Sequence, residues 1–202
     1  MTKYLPEAIF DILYLGKNLQ KKIEDFSLYE IQTFSYLSCL LSLYDGNPAS
    51  DWNYVFIKSS KGGPYSLDLA NSFSFLTNND FIRASANNYF NLTEKGDKYL
   101  ENYYNLISFE IRKKYLETSI KSISIIPASL IKNAIKNEPL LMSANNTDSI
   151  KTLIDEESYS LKFLYNQFAS LRYVINGKYK SLIIPAVLWL ESLSNKEELY
   201  DS

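Results

Sequence analysis

Apolar residues recur at helical spacing near the start of the chain. Residues three and four positions apart share one face of a helix, so this spacing predicts two amphipathic helices in the first 45 residues. Ser27, with Glu30 three residues later, has the spacing of a capping box at the start of the second helix. Asp45-Gly46 followed by Pro48 predicts where that helix ends. The two stripes consist of Leu5, Ile9, Ile12, Leu13 and Leu19, and of Leu28, Ile31, Phe34, Leu37, Leu41 and Tyr44.

Shorter elements follow in residues 49–79. Ser50 or Asp51 can begin a short helix that runs through Trp52, Val55 and Phe56. The Gly62-Gly63-Pro64 turn then predicts a break before a third helix over residues 66–77. That helix has an apolar face made of Leu67, Leu69, Ala70, Phe73 and Leu76.

Two short alternating segments come next, at residues 81–83 and 89–92, with a polar stretch between them. Alternation around a tight polar loop is typical of a β-hairpin. Thr93 is placed to cap a further helix, and Gly96 would let that helix pack closely. The remainder predicts three helical segments: residues 109–137 bent at Pro127, residues 157–174, and residues 179–200 with Pro185 at or near the start.

This order of elements is that of a winged helix. The segment from Gly63-Pro64-Tyr65-Ser66 to Phe90-Asn91-Leu92-Thr93-Glu94-Lys95-Gly96 resembles the winged-helix family, with an unrelated α+β arrangement as the alternative. The expected fold class is mainly α (α+β), with one β-hairpin wing. The expected domains are an N-terminal helix (1–26), a winged-helix domain (27–107) and a helical C-terminal region (108–202). A degenerate second winged helix and a helical extension both remain open for that last region.

Composition favours a folded protein that is not a general nucleic-acid binder. The 202 residues are 46% hydrophobic and 22% charged, with 17 Tyr and 11 Phe, and the net charge is −2. A protein that binds nucleic-acid phosphates over its whole surface would have more basic than acidic residues. The single Cys39 has no partner for a disulfide, which favours a reducing, cytoplasmic location. The densest apolar stretch, residues 182–193, is interrupted by Pro185 and Glu191 and predicts a core helix.

Little in the sequence indicates catalysis. There is no histidine, which removes the commonest general base and metal ligand. Cys39 lies in an apolar stripe and is interpreted as a small buried side chain. The acidic stretch Asp155-Glu156-Glu157 resembles a solvated helix start, and Ser60-Lys61-Gly62-Gly63-Pro64 lacks the spacing of a phosphate-binding loop. We therefore expect a non-enzymatic protein with no cofactor and no metal.

The third helix argues against sequence-specific DNA reading. Residues 66–79 contain neither Arg nor Lys, and Asp68 and Asp80 would repel phosphates. Such a helix suits protein contact better, and Phe73 and Phe75, on opposite faces, predict that one of them is exposed. The candidates for a protein interface are Phe73, Phe75, Asn71 and Trp189. The candidates for nucleic-acid contact are Lys58, Lys61, Arg83, Arg112, Lys113 and Lys114.

Winged-helix modules without a basic reading helix recur as accessory subunits of SMC-type ATPases. More narrowly, the chain resembles the small middle component of bacterial ABC three-component, Lamassu-type antiphage defence systems. The features that carry this resemblance are an apolar N-terminal helix, the Leu43-Tyr44-Asp45 helix end, the Gly63-Pro64-Tyr65-Ser66 turn, the Leu76 and Phe81-Ile82 exit, and a helical C-terminal half.

The resemblance implies a non-catalytic subunit that docks beside an SMC-like ATPase and holds a nuclease-type effector near DNA. Direct contact between this chain and DNA is left open. Two alternatives remain. One is a winged-helix transcription regulator that binds DNA through its wing and helix starts, and the other is an antitoxin or adaptor that binds a toxin.

Overall fold

The computed structural model describes residues 4–104, 106–146, 152–176, 179 and 181–194. Within them the protein is mainly helical, as predicted, with two small antiparallel strand pairs. The helices are α1 (Pro6–Ile23), α2 (Leu28–Tyr44), α3 (Leu67–Asn78), α4 (Glu94–Tyr104), α5 (Ile107–Ser122), α6 (Ala128–Lys136), α7 (Pro139–Asn145), α8 (Tyr159–Ile175) and α9 (Ile183–Ser194). The strands are β1 (Ile57–Lys58), β2 (Pro64–Tyr65), β3 (Ile82–Ala84) and β4 (Phe90–Leu92).

Helix α2 forms the centre of the fold. Of its 17 residues 15 are buried, so it is covered on every side rather than along one stripe, by α1, α3, α5 and α6. Buried hydroxyls on α2 bond within the helix, as Thr33 does to the Tyr29 carbonyl (2.9 Å) and Ser38 to the Phe34 carbonyl (2.7 Å). The predicted capping box of Ser27 and Glu30 is confirmed at its start.

The short helix predicted after α2 is wrong. Residues Ala49–Trp52 form a single 3₁₀ turn that ends at Asn53, whose φ of 65° lies in the left-handed region. Residues 53–56 are not helical; Trp52, Tyr54 and Phe56 are buried, while Asn53 and Val55 are exposed. Burial therefore alternates with period two, which is the period of a strand, whereas the prediction placed Trp52, Val55 and Phe56 on one helical face.

The Gly62-Gly63-Pro64 segment accordingly closes a β-hairpin rather than joining two helices. Strands β1 and β2 pair antiparallel, with Ile57 opposite Tyr65. Gly62 has a φ of +75°, a conformation that L side chains rarely adopt. The structure thus places a two-stranded hairpin, which we call the first hairpin, directly before α3.

The second hairpin, β3–β4, is confirmed where the alternating pattern predicted it. Ile82 lies opposite Leu92, and Asn87 and Asn88 at its tip both have positive φ, as tight hairpin turns of type I′ require. Gly96 packs closely, as expected, because a Cβ on it would lie 2.1 Å from the Phe81 carbonyl oxygen. The Thr93 hydroxyl accepts a hydrogen bond from the Gly96 N–H (3.1 Å), which confirms its capping role.

The C-terminal half is divided differently from the prediction. The single bent helix over residues 109–137 is two helices, α5 and α6, because Pro127 disfavours helical geometry in the residue before it. Helix α7 was not predicted; Pro139 occupies its first turn, and the Glu138 carboxylate accepts from the Leu140 and Leu141 N–H groups (2.9 and 2.6 Å). The predicted continuation of the last helix to residue 200 lies outside the described residues.

No break in the core marks the predicted boundary at residues 107/108. Helix α5 packs along α2 and α1, and α6 also contacts α2. One buried apolar cluster includes side chains from α1 through α9. No helix in the described part of the chain is long and apolar enough to cross a membrane.

Candidate functional site

Arg112, a predicted nucleic-acid contact, lies in the interior instead. Its Nε donates to Asp11 Oδ1 (2.6 Å), its Nη2 to Asp11 Oδ2 (2.7 Å) and its Nη1 to the Trp52 carbonyl (3.0 Å). The guanidinium carbon is 3.8 Å from the centre of the Trp52 ring. Only 6% of Arg112 is exposed, so this prediction is wrong. The side chain joins α5 to α1 because a buried guanidinium needs a carboxylate partner.

Two buried hydroxyls also bind the Asp11 carboxylate, while the buried Trp52 Nε1–H beside the pair has no hydrogen-bond partner among the described residues. Tyr54 and Ser35 both hydrogen-bond to the Asp11 carboxylate and to each other. Burial lowers the pKa of Arg112, but Asp11 and Tyr54 raise it by more, so the guanidinium stays charged. Burial first, and Asp11 second, raise the pKa of Tyr54 well above its ordinary value. The cluster is a buried ion pair that joins α1 to α5.

Cys39 and the metal-ligating side chains are the other groups that could carry chemistry. Burial raises the pKa of the Cys39 thiol well above its ordinary value, which keeps it protonated and unreactive. Among the described residues no three His, Cys, Asp or Glu side chains form a cluster that could hold a metal ion.

Helix α8 carries an exposed aromatic stripe. Tyr159, Phe163, Tyr173 and Val174 are 84%, 47%, 86% and 70% exposed. With Asn166 and Ser170 they occupy an arc of roughly 100° on one side of the helix. The opposite side is buried through Leu161, Leu164, Phe168 and Ile175. We call these four exposed side chains the α8 stripe.

A second surface feature is a groove at the start of α2. Its first compartment, about 520 Å³, lies between the first turn of α2, the first hairpin and α6, and is lined by Leu28, Tyr29, Gln32, Ser59, Ser60, Lys61, Pro64, Tyr65 and Lys136. Its second compartment, about 510 Å³, lies towards the tip of the second hairpin and is lined by Ser27, Leu28, Tyr29, Phe73, Asn87, Asn88, Tyr89 and Phe90. Leu28 and Tyr29 line both compartments, and we call the two together the tyrosine groove.

Gly63 shapes this groove. A Cβ on Gly63 would lie 3.2 Å from the Tyr29 ring, so the absence of a side chain lets the first hairpin approach that ring. The hairpin itself is tied to α2 by Gln32, whose side chain accepts from the Ser66 N–H (2.7 Å) and donates to the Ser66 carbonyl (3.0 Å). The groove walls are therefore fixed by buried hydrogen bonds and close packing.

The predicted basic residues are dispersed around the molecule. Lys61 lines the groove, while Lys58 donates to the Ala144 carbonyl (2.8 Å). Arg83 is exposed on β3 and lies 3.7 Å from Asp80. On α5, Lys113 lies over the Tyr104 ring and Lys114 pairs with Asp45 (2.6 Å). The Arg112-Lys113-Lys114 run therefore forms no common basic face.

The predicted protein-interface residues lie mostly inside. Trp189 is 3% exposed and packs edge-on against Phe168, so it offers no contact surface. Phe73 is buried against Phe90, and Phe75 is half-buried beneath Tyr4, so the expectation that one of the two is exposed is wrong. The reason is that α1 and the second hairpin cover opposite sides of α3. Asn71 is half-buried on α3.

Sequence reasoning missed both surface features. The α8 stripe has a signal in the chain, since Tyr159, Phe163 and Tyr173 recur at helical spacing on the face opposite the leucines. The tyrosine groove has no such signal, because Tyr29, Tyr65 and Lys136 come from three elements far apart in sequence.

Comparison of the chain with family models, with curated proteins and with solved structures found no match.

Proposed function

We propose that this protein is a non-catalytic accessory subunit that binds another protein through the α8 stripe. The observation that carries the proposal is the exposure of Tyr159, Phe163, Tyr173 and Val174 along one side of a helix that is anchored on its other side. Large aromatic side chains are enriched in protein interfaces and dominate their binding energy. Three aromatic rings left in water along one helix favour an interface over a solvated face.

Rigid anchoring of α8 supports this role. Leu161, Leu164 and Phe168 are buried, and Phe168 contacts Tyr44 of the central helix and Trp189 of α9. Ser158 caps the helix by accepting from the Leu161 N–H (3.1 Å). A fixed helix presents its outer side chains with little loss of conformational freedom on binding.

The sequence resemblance supplies the first partner to test, which is an SMC-like ATPase that works with a nuclease-type effector in antiphage defence. We propose further that α2, α3 and the second hairpin form a divergent winged helix. The order of the elements α3, β3, β4 and α4 along the chain supports this proposal. The fold departs from the winged-helix pattern at the first hairpin, because that family has its second helix at this position.

Two alternative functions have weaker support. The exposed face of α3 includes Leu67, Ser74 and Asn78 and no basic residue, which does not favour a DNA-reading regulator. An adaptor that neutralises a toxin would use the same α8 stripe. The identity of the protein that co-purifies with this chain distinguishes a toxin-binding adaptor from a subunit of an ATPase complex.

The test is affinity purification of the tagged full chain from its native host, with quantitative mass spectrometry. We expect an SMC-like ATPase to be recovered in stoichiometric amount with the wild type. The Phe163→Glu/Tyr173→Glu variant should recover at least about tenfold less, because each charge would be desolvated in an aromatic interface.

The matched control is Ile107→Glu/Ile111→Glu, which places two charges at other exposed apolar positions, 83% and 64% exposed on α5. It should recover the ATPase as the wild type does. Equal loss in both variants, or recovery of a toxin without any ATPase, would contradict the proposal. So would concentration-dependent dimerisation of the pure chain that the α8 substitutions abolish, since the stripe would then join two copies.

A further inference from the structure

We propose that the tyrosine groove binds single-stranded nucleic acid, with phosphates held by Lys61 and Lys136 and bases packed against Tyr29, Tyr65 and Tyr89. This site is separate from the α8 stripe and acts through different chemistry. It gives the chain direct contact with a polynucleotide, in addition to binding a protein partner.

The charge of the groove is the first argument. Lys61 and Lys136 are exposed, and within the described residues neither has a carboxylate partner. Lys132, next to them on α6, is neutralised by Glu30 (2.9 Å). None of the described residues that line either compartment is Asp or Glu. In a chain of net charge −2, this local positive surface complements a polyanion.

The aromatic residues are the second argument. Tyr29 and Tyr65 are half-buried in the first compartment, and Tyr89 is 43% exposed in the second. Among the described residues none of the three hydroxyls has a hydrogen-bond partner, and of the three rings Tyr29 alone has a cation over it, Lys132 Nζ at 5.7 Å from the ring centre. Tyrosine rings beside a lysine-bearing groove are the combination by which proteins bind unpaired bases without reading sequence.

A single strand fits this surface better than a duplex. The two compartments of the groove, of about 520 and 510 Å³, fall within the range of roughly 300–1,000 Å³ for ligand pockets. The helix that would enter a major groove, α3, has Asp68 in its first turn and no basic residue. A duplex reader would need a basic helix of this kind, whereas a single strand needs only the lysines and the exposed ring faces of the groove.

The test is fluorescence anisotropy of a labelled oligothymidylate of 15 nucleotides, titrated with the purified full chain at a series of salt concentrations. We expect the wild type to bind with a salt-dependent affinity. Each lysine–phosphate contact contributes about 0.7 to the slope of log K against log salt for a single strand, so Lys61→Gln/Lys136→Gln should reduce that slope by about 1.4. At 0.1 M salt this corresponds to a loss of about tenfold or more.

The control variant is Lys98→Gln/Lys162→Gln, which removes the same charge from two exposed lysines outside the groove. Its slope should match that of the wild type. Tyr65→Leu and Tyr89→Leu should each weaken binding by about fivefold or more through lost stacking. Tyr159→Leu on α8 should not. Tyr89 is in an exposed turn, so its variant tests the groove even if Tyr65→Leu lowers stability.

Four results would overturn the proposal. They are no anisotropy change up to about 100 µM protein at low salt; equal or tighter binding of a 15-base-pair duplex; equal loss in the control lysine variant; and full competition by a glutamate 15-mer, which would make the ligand an acidic peptide. The measurement needs no protein partner, so its failure would leave the proposal for the α8 stripe unaffected.

Discussion

Gly96 brings the backbone of α4 into close contact with the backbone at Phe81. A Cβ on Gly96 would lie 2.1 Å from the Phe81 carbonyl oxygen. This close approach holds α4 against the segment between α3 and β3. A backbone carbonyl cannot rotate away as a side chain can. Glycine is therefore required at position 96 because there is no space for a side chain, and not because of its backbone conformation.

Gly96→Ala should therefore lower the free energy of unfolding by about 2–4 kcal/mol. Urea denaturation followed by far-UV circular dichroism measures the change. Gly16→Ala should lower the free energy of unfolding by less. Its Cβ would lie 2.8 Å from the Phe26 ring, and a ring can shift to relieve the contact. An equal cost at the two positions would show that the backbone clash is not the cause.

Glu30 is the residue at which stability should depend on pH. Burial raises its pKa, but hydrogen bonds from Ser27 and Lys132 lower it by more, so the pKa is below its ordinary value of 4.5. A carboxylate with a lowered pKa in the folded state stabilises the fold above its unfolded pKa. That contribution is lost as the pH falls through the folded pKa.

Glu30→Gln should thus destabilise the protein by about 1–2 kcal/mol at pH 7. The difference from the wild type should be constant above about pH 5.5 and should shrink below pH 4.5. Thermal unfolding across this range measures it, with the exposed Glu101→Gln as a control. A difference that grows on acidification would mean that the carboxylate is not stabilised in the fold.

At the scale of elements, one ion pair links helices that are far apart in sequence. Arg112 on α5 is held by Asp11 on α1 and covered by Trp52 from the loop after α2. Removal of one partner from a buried pair leaves the other charge without compensation. Replacement of both by apolar residues of similar size removes that penalty.

Arg112→Met alone should lower stability by about 3–5 kcal/mol, and the double variant Asp11→Leu/Arg112→Met should be more stable than the single one. Urea titration of the variants measures this, with the exposed neighbour Lys113→Met as the control. A double variant less stable than Arg112→Met would indicate that the pair itself, rather than the uncompensated charge, stabilises the junction.

At the scale of the whole molecule, α2 makes the two halves depend on each other. It contacts the second half on two sides: the Ser38 hydroxyl lies 2.9 Å from the Ser119 hydroxyl of α5, and Tyr36, on the other side of the helix, donates to Glu138 at the start of α7 (2.8 Å). Removal of residues after 104 would expose these sides to water. The predicted division at residue 107 would then leave an incomplete core.

A fragment of residues 1–104 should not unfold cooperatively and should bind a dye for exposed apolar surface, such as ANS. Near-UV circular dichroism and urea titration, compared with the full chain, measure this. A sharp unfolding transition with native-like near-UV signal in the fragment would show that the first half folds independently.

Much of the local structure follows from the sequence because its causes are local. Ser27 with Glu30 predicted the capping box, the polar loop at 85–88 predicted the second hairpin, and Thr93 with Gly96 predicted the start of α4. Each depends on residues within a few positions of one another. The first hairpin was missed because its strands are only two residues long and because Trp52, Val55 and Phe56 before it were read as a helical face.

The sequence by itself determined the helical class of the protein, and its lack of histidine limited the chemistry that the protein can carry. Only the tertiary structure decided which polar and aromatic groups are exposed. It buried Arg112, Phe73 and Trp189, left the α8 stripe in water, and brought Tyr29, Tyr65 and Lys136 together. The physical reason is that exposure depends on which elements pack together, and those contacts join residues up to about a hundred positions apart.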